Sequence, residues 1–124
     1  MRRALLFFVV VAAACSKEKA GKPLPVIAIA TPSDNQHFVK GDTVRITGRV
    51  THSVALIEVA VHITDLGTNN EFFHNHFGAN NQLSYDYSSW YAVPDNSKAS
   101  FKVEVEARDS SGTTSSKEIK ITLN

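Results

Sequence analysis

The chain has one cysteine, Cys15, in 124 residues. A single thiol excludes an internal disulfide framework. Charge of one sign is equally scarce. Thirteen Lys and Arg stand against twelve Asp and Glu, for a formal net charge of +1 and no basic run. That excludes the electrostatic footprint of a nucleic-acid-binding surface. Beyond residue 14 no apolar run approaches the roughly 20 residues a membrane-spanning helix needs. Apolar residues at 3.6-residue spacing are missing too, which excludes amphipathic helices. No nucleophile–base–acid spacing and no Gly-rich phosphate loop is present, so the expectation is that the chain is not an enzyme.

What is present begins at the N-terminus. Met1-Arg2-Arg3 leads into the apolar run Ala4–Ala14, which stops at Cys15. A basic start, a short apolar stretch and a small-residue exit make a secretory signal peptide over residues 1–14. Cleavage before Cys15 would remove Arg2 and Arg3 and take the net charge to −1. Two fates follow for the cysteine. It is acylated and tethers the protein to a membrane, or Ala12-x-Ala14 is an ordinary cleavage site and the thiol stays free. A cytosolic chain with an apolar N-terminal helix is the remaining alternative. Residues 15–23 are polar and punctuated by Gly21 and Pro23, the composition of a flexible stalk.

From residue 24 to residue 124 the pattern has period two, and about 100 residues make one domain. Val26–Ile29 is a first strand, closed by Thr31-Pro32-Ser33-Asp34-Asn35. Phe38-Val39 precedes a Lys40-Gly41-Asp42 turn. Val44, Ile46, Gly48 and Val50 alternate with Arg45, Thr47 and Arg49. Ile57, Val59, Val61 and Ile63 form the next apolar face, and Glu71–Phe77 is aromatic and β-prone. Leu83, Tyr85 and Tyr87 are expected to face inward, as are Phe101, Val103, Val105 and Ala107. Ile119, Ile121 and Leu123 finish the chain. Seven short strands separated by turns predict an all-β, antiparallel β-sandwich of immunoglobulin type.

Two resemblances add to this reading. Cys15-Ser16-Lys17-Glu18 resembles the start of mature bacterial lipoproteins of the Bacteroidetes kind. It implies acylation of Cys15, with palmitate-type chains holding the protein in the cell envelope, at the outer membrane. The run from Val26 through Ile29 to Thr31-Pro32, with Phe38 and Gly41-Asp42-Thr43-Val44, resembles the opening of bacterial Ig-like repeats. Val103-x-Val105-x-Ala107-x-Asp109-x-x-Gly112 is similar to their penultimate strand and last hairpin. The match covers about residues 24–124 and implies a fold rather than a function. Residues 66–92 depart from the generic repeat.

That middle segment holds the candidate chemistry. His74-Asn75-His76 in a strand puts two imidazoles on one face. Val59, Val61 and Ile63 facing inward turn His62 outward, together with Glu58. With Asp65–Asn70 as a hairpin loop, matched apolar faces place His62 opposite His74, or opposite Phe72 and diagonal to it. Three imidazoles so gathered are candidate ligands for Zn²⁺ or Cu²⁺, and would need further partners for their outer ring nitrogens. The alternative is three solvated histidines on an exposed strand face. His37 and His52 are expected to be solvated loop residues. Asp34-Asn35 with Asp109-Ser110 is a candidate calcium site at the sandwich rim, and Asp95-Asn96 after Pro94 is turn chemistry.

Aromatics supply a second candidate. Tyr85, Tyr87, Trp90 and Tyr91 fall within seven positions. Trp90 and Tyr91 are neighbours in an extended segment, so one of them must face outward and can stack on a sugar or anchor an interface. The alternative is that Trp90 belongs to the core. The expected role is non-catalytic binding of an envelope protein or glycan, with metal binding through His62, His74 and His76 as the alternative.

Overall fold

A computed structural model describes residues 22–93 and 99–123. The expected signal peptide over residues 1–14, Cys15, most of the expected stalk, and the expected turn at Pro94-Asp95-Asn96 lie outside the described residues. The described chain is all β. Six strands run in order: β1 (Val26–Thr31), β2 (Gln36–Phe38), β3 (Thr43–Asp65), β4 (Glu71–Ala92), β5 (Ala99–Asp109) and β6 (Thr114–Leu123).

The alternation of β-branched and polar residues produces these strands, as expected. Their number differs from seven because β3 and β4 are 23 and 22 residues long and each absorbs two of the expected strands, while the three-residue β2 is an additional one. Both curl through the fold and serve two layers. The first half of β3 lies between β1 and the second half of β4. Its second half lies between the first half of β4 and β5. β5 continues to β6, and β2 closes that layer by pairing with β6 in parallel.

The bend has a clear origin in the register. Thr51 pairs with Ser84 and Leu56 with Gln82, so β3 spends five steps where β4 spends two. The surplus, His52 to Ala55, turns β3 from one layer to the other, while Asn80 and Asn81 bend β4 in the left-handed region, at φ 53° and 58°. Asn is among the few non-glycine residues that adopt this conformation readily.

Two inward assignments change as a result. Leu56, not Ile57, takes the core position at the bend, because the register shifts again between Leu56 and Glu58. Leu83 is 56% exposed, because it falls in the crossing between the two ladders.

The core is formed where the layers face. Val44, Ile46 and Val50 from one half of β3 meet Val59, Val61 and Ile63 from the other, with Val103, Val105 and Ile121 closing it. At roughly 1.5–3 kcal/mol per fully buried aliphatic or aromatic side chain, this burial is the main stabilising term. Tyr87 crosses the first layer beneath Gly48, and its hydroxyl donates to the Ala28 carbonyl at 2.8 Å. Any Cβ at position 48 would overlap the Tyr87 ring and the Ala28 carbonyl oxygen.

Candidate functional site

His62 and His74 are direct partners across the β3–β4 ladder, and Ala60 faces His76. The register follows from the loop. Asp65 Oδ1 accepts from the amides of Gly67 and Thr68, and the Asp65 amide donates to the Asn70 carbonyl. The inward residues then pair as Ile63 with Phe73 and Val59 with Phe77, which leaves the three imidazoles outward. Their ring centroids stand 6.4 Å apart for His62–His74, 5.7 Å for His62–His76 and 5.4 Å for His74–His76.

Glutamates surround this triangle. Glu71 Oε1 lies 3.1 Å from His62 Nδ1 and 3.3 Å from His74 Nδ1. Glu58 Oε1 lies 3.1 Å from His76 Nδ1, and Glu106 Oε2 is 3.7 Å from His62 Nε2. The hydrogen bond from His62 lowers the Glu71 pKa, opposed next by desolvation, and the charges of all three histidines add to the lowering. His62 is the most enclosed of the three, its side chain 16% exposed. Among the described residues no group of three or more His, Cys, Asp or Glu side chains is placed, as they stand, to hold a metal ion. Sequence reasoning noticed Glu58 and passed over Glu71 and Glu106. The signal for Glu71 was its position three residues before His74, at the mouth of the hairpin loop.

The other candidate residues lie in the second half of the same strand. Trp90 is 63% exposed, and Tyr91 turns inward and is half-buried, with its pKa raised by that burial. The two halves of β4 form the facing margins of the two layers. Between them runs an open groove of about 480 Å³, lined by Phe73 and Asn75 from one half and Ser88 to Ala92 from the other. Asn75 donates to the buried Ser89 hydroxyl across it, at 3.4 Å. Tyr91 rests on Phe73 and Phe72, with centroids 5.7 and 5.3 Å away, and Phe72 meets Phe101 edge-on at 4.9 Å. A second cleft of about 350 Å³ adjoins, sharing Tyr91.

The remaining expectations are corrected by burial and by partners. His52 is not a solvated loop residue. It sits in the β3 bend with its side chain 1% exposed, and its Nε2 is 2.8 Å from Asp109 Oδ2. His37 belongs to β2 rather than to a loop, and its Nδ1 is 2.9 Å from the Thr122 hydroxyl. The calcium reading fails. Asp34 Oδ1 accepts from the Lys120 amide, whereas Asp109 accepts from Ser111 and Thr113 beside the start of β6. From Thr114 to Lys120 is about 20 Å of strand, so the two aspartates share no rim. Asp86 lies within β4 and receives Arg49 through two nitrogens.

No known protein family and no curated protein sequence matches the chain. Solved structures do resemble it. OgpA from Akkermansia muciniphila superposes with a TM-score of 0.58 at 16% identity, over 83% of this chain and 28% of that one. Catalytically inactive OgpA in complex with an O-glycopeptide (glycodrosocin) substrate gives 0.55 at 14% identity, over 83% and 29%. Superoxide reductase (neelaredoxin) from Ignicoccus hospitalis gives 0.51 at 9% identity, over 82% and 80%. The chain thus spans less than a third of the OgpA protein it matches. At such identities the likeness is one of fold.

Proposed function

We propose that this chain is a non-catalytic binding domain of the bacterial cell envelope, tethered through acylated Cys15 at the outer membrane, that receives a glycan or glycosylated peptide. The groove carries this reading. It combines the half-buried rings of Tyr91 and Phe73 with a polar pair, Asn75 and Ser89, and Trp90 forms part of its margin. Flat aromatic surface beside a few fixed polar groups is what a sugar ring, apolar on its faces and polar at its edge, requires. The resemblance to OgpA, whose structure holds an O-glycopeptide, chooses the first ligands to try. The lipid anchor rests on the sequence around Cys15.

Trp90 is the sole tryptophan in the chain, so its emission reports on the groove. Titration with O-glycopeptides, their deglycosylated counterparts and free oligosaccharides is expected to give a saturable change with the glycosylated ligands. Tyr91→Ala and Phe73→Ala should weaken it about tenfold or more, within the range of a lost aromatic anchor. Equal response to the deglycosylated peptides would overturn glycan recognition in favour of a protein partner. No response to any ligand would remove the groove as the binding site.

A further inference from the structure

The outer face of β4 carries a second site that is independent of the groove. We infer that His62, His74, His76 and Glu71 form a four-donor binding site for Zn²⁺. The argument begins with donor spacing. A tetrahedral Zn²⁺ with N and O ligands at about 2.0–2.2 Å holds neighbouring donors about 3.3 Å apart and imidazole centroids about 5 Å apart. Glu71 Oε1 stands 3.1 Å from His62 Nδ1 and 3.3 Å from His74 Nδ1, two edges of such a tetrahedron. The rings themselves stand 5.4 to 6.4 Å apart.

The outer nitrogens are provided for as well. A metal-bound imidazole ordinarily gives its other N–H to a carboxylate, which fixes its tautomer and orientation. With Nδ1 of His62 on the metal, its Nε2 faces Glu106 at 3.7 Å. Nε2 of His76 is the nitrogen left for the metal, because its Nδ1 stands 3.1 Å from Glu58, which is itself 3.6 Å from Arg108. Closing the site asks His74 and His76, both more than half exposed, to rotate about their side-chain bonds. The backbone register that brings the four together is already set by the hairpin. The donor set holds nitrogen and carboxylate oxygen and no sulfur, which suits Zn²⁺.

The test is calorimetric titration of ZnCl₂ into the full chain, with Glu71→Gln, His74→Ala and His37→Ala beside it. Circular dichroism of each metal-free variant establishes that it is folded. The expected result is one Zn²⁺ per chain at about micromolar affinity or tighter, as for a chelate of deprotonated side chains. Glu71→Gln and His74→Ala should each weaken binding at least tenfold, and His37→Ala should leave it unchanged. Absence of saturable uptake, saturation by Cu²⁺ alone, or uptake by Glu71→Gln and His74→Ala equal to that of the parent would overturn the assignment. The groove titration is unaffected by any of these outcomes, so the two readings fail separately.

Discussion

His52 Nε2 and Asp109 Oδ2 lie 2.8 Å apart, with both side chains all but excluded from water although the two residues are 57 positions apart in the chain. Asp109 is saturated. Its Oδ1 accepts from the Ser111 hydroxyl and from the amides of Ser111 and Thr113, while Oδ2 takes the imidazole. The contact ties the bend of β3 to the turn between β5 and β6, and the Ser110 amide adds a bond to the Ala55 carbonyl. Four residues, His52 to Ala55, lie between the paired positions Thr51 and Leu56 at this bend, so their polar groups need partners from elsewhere. Asp109 and its turn supply them.

Removing either partner strands the other in the interior. His52→Ala should cost about 1–3 kcal/mol, the usual penalty for leaving a buried acceptor short of a donor. Urea unfolding followed by circular dichroism measures it. An unchanged midpoint would mean that the imidazole makes no net contribution.

Acid should act through Asp109. The Ser111 hydroxyl, then His52, then the Thr113 and Ser111 amides hold its carboxyl well below the usual carboxylate range, against an opposing desolvation cost. A carboxyl depressed in the folded state stabilises the fold above its unfolded pKa of about 3.9 and loses that contribution as pH falls below it. The stability gap between the parent chain and Asp109→Asn should therefore be constant from pH 7 to about pH 5 and shrink below pH 4. Denaturant midpoints across that range give the gap directly. A gap independent of pH would assign its origin to packing.

The first layer depends on the absence of a side chain at Gly48. Gly48→Ala should cost about 1–3 kcal/mol or more, since its methyl group must displace the Tyr87 ring or the Ala28 carbonyl. Tyr87→Phe should cost about 1 kcal/mol, the worth of one hydrogen bond. If the layers separate to relieve the alanine, the double variant will be no worse than Gly48→Ala alone. Thermal unfolding of the three variants distinguishes these cases.

Trp90→Ala should leave stability within about 0.5 kcal/mol of the parent, as expected for an exposed position. A larger loss would return the indole to the core. Cys15→Ser should abolish fatty-acid labelling and release the protein from the membrane fraction. Retention in the membrane would place the anchor elsewhere.

The β class was legible because alternation is a local signal. Val44, Ile46 and Val50 could be placed in the core without any knowledge of their neighbours. The pairing of His62 with His74 was legible too, since the loop length and the two apolar faces restrict the register. The burial of His52 was not. Nothing near position 52 indicates that an aspartate 57 residues later will receive its ring. The same holds for Leu83, whose alternation with Tyr85 and Tyr87 is sound locally and fails because the strand is changing layers. The groove was half legible. Adjacency made one of Trp90 and Tyr91 face outward, but only the return of β4 beside itself brings Phe73 and Asn75 to the other wall.

The continuity of β3 and β4 also bears on the order in which the molecule forms. Glu71 follows Asp65 after only five residues, and pairing extends from that loop as far as Thr43 and Ala92. A hairpin of this kind can zip outward from its own turn, on a microsecond scale, with little loop-closure entropy at each step. The layers then close by bending an existing ribbon at His52–Ala55 and Asn80–Asn81. Contacts of β1 with β6 are the most distant in sequence, and such contacts are the ones expected to form last.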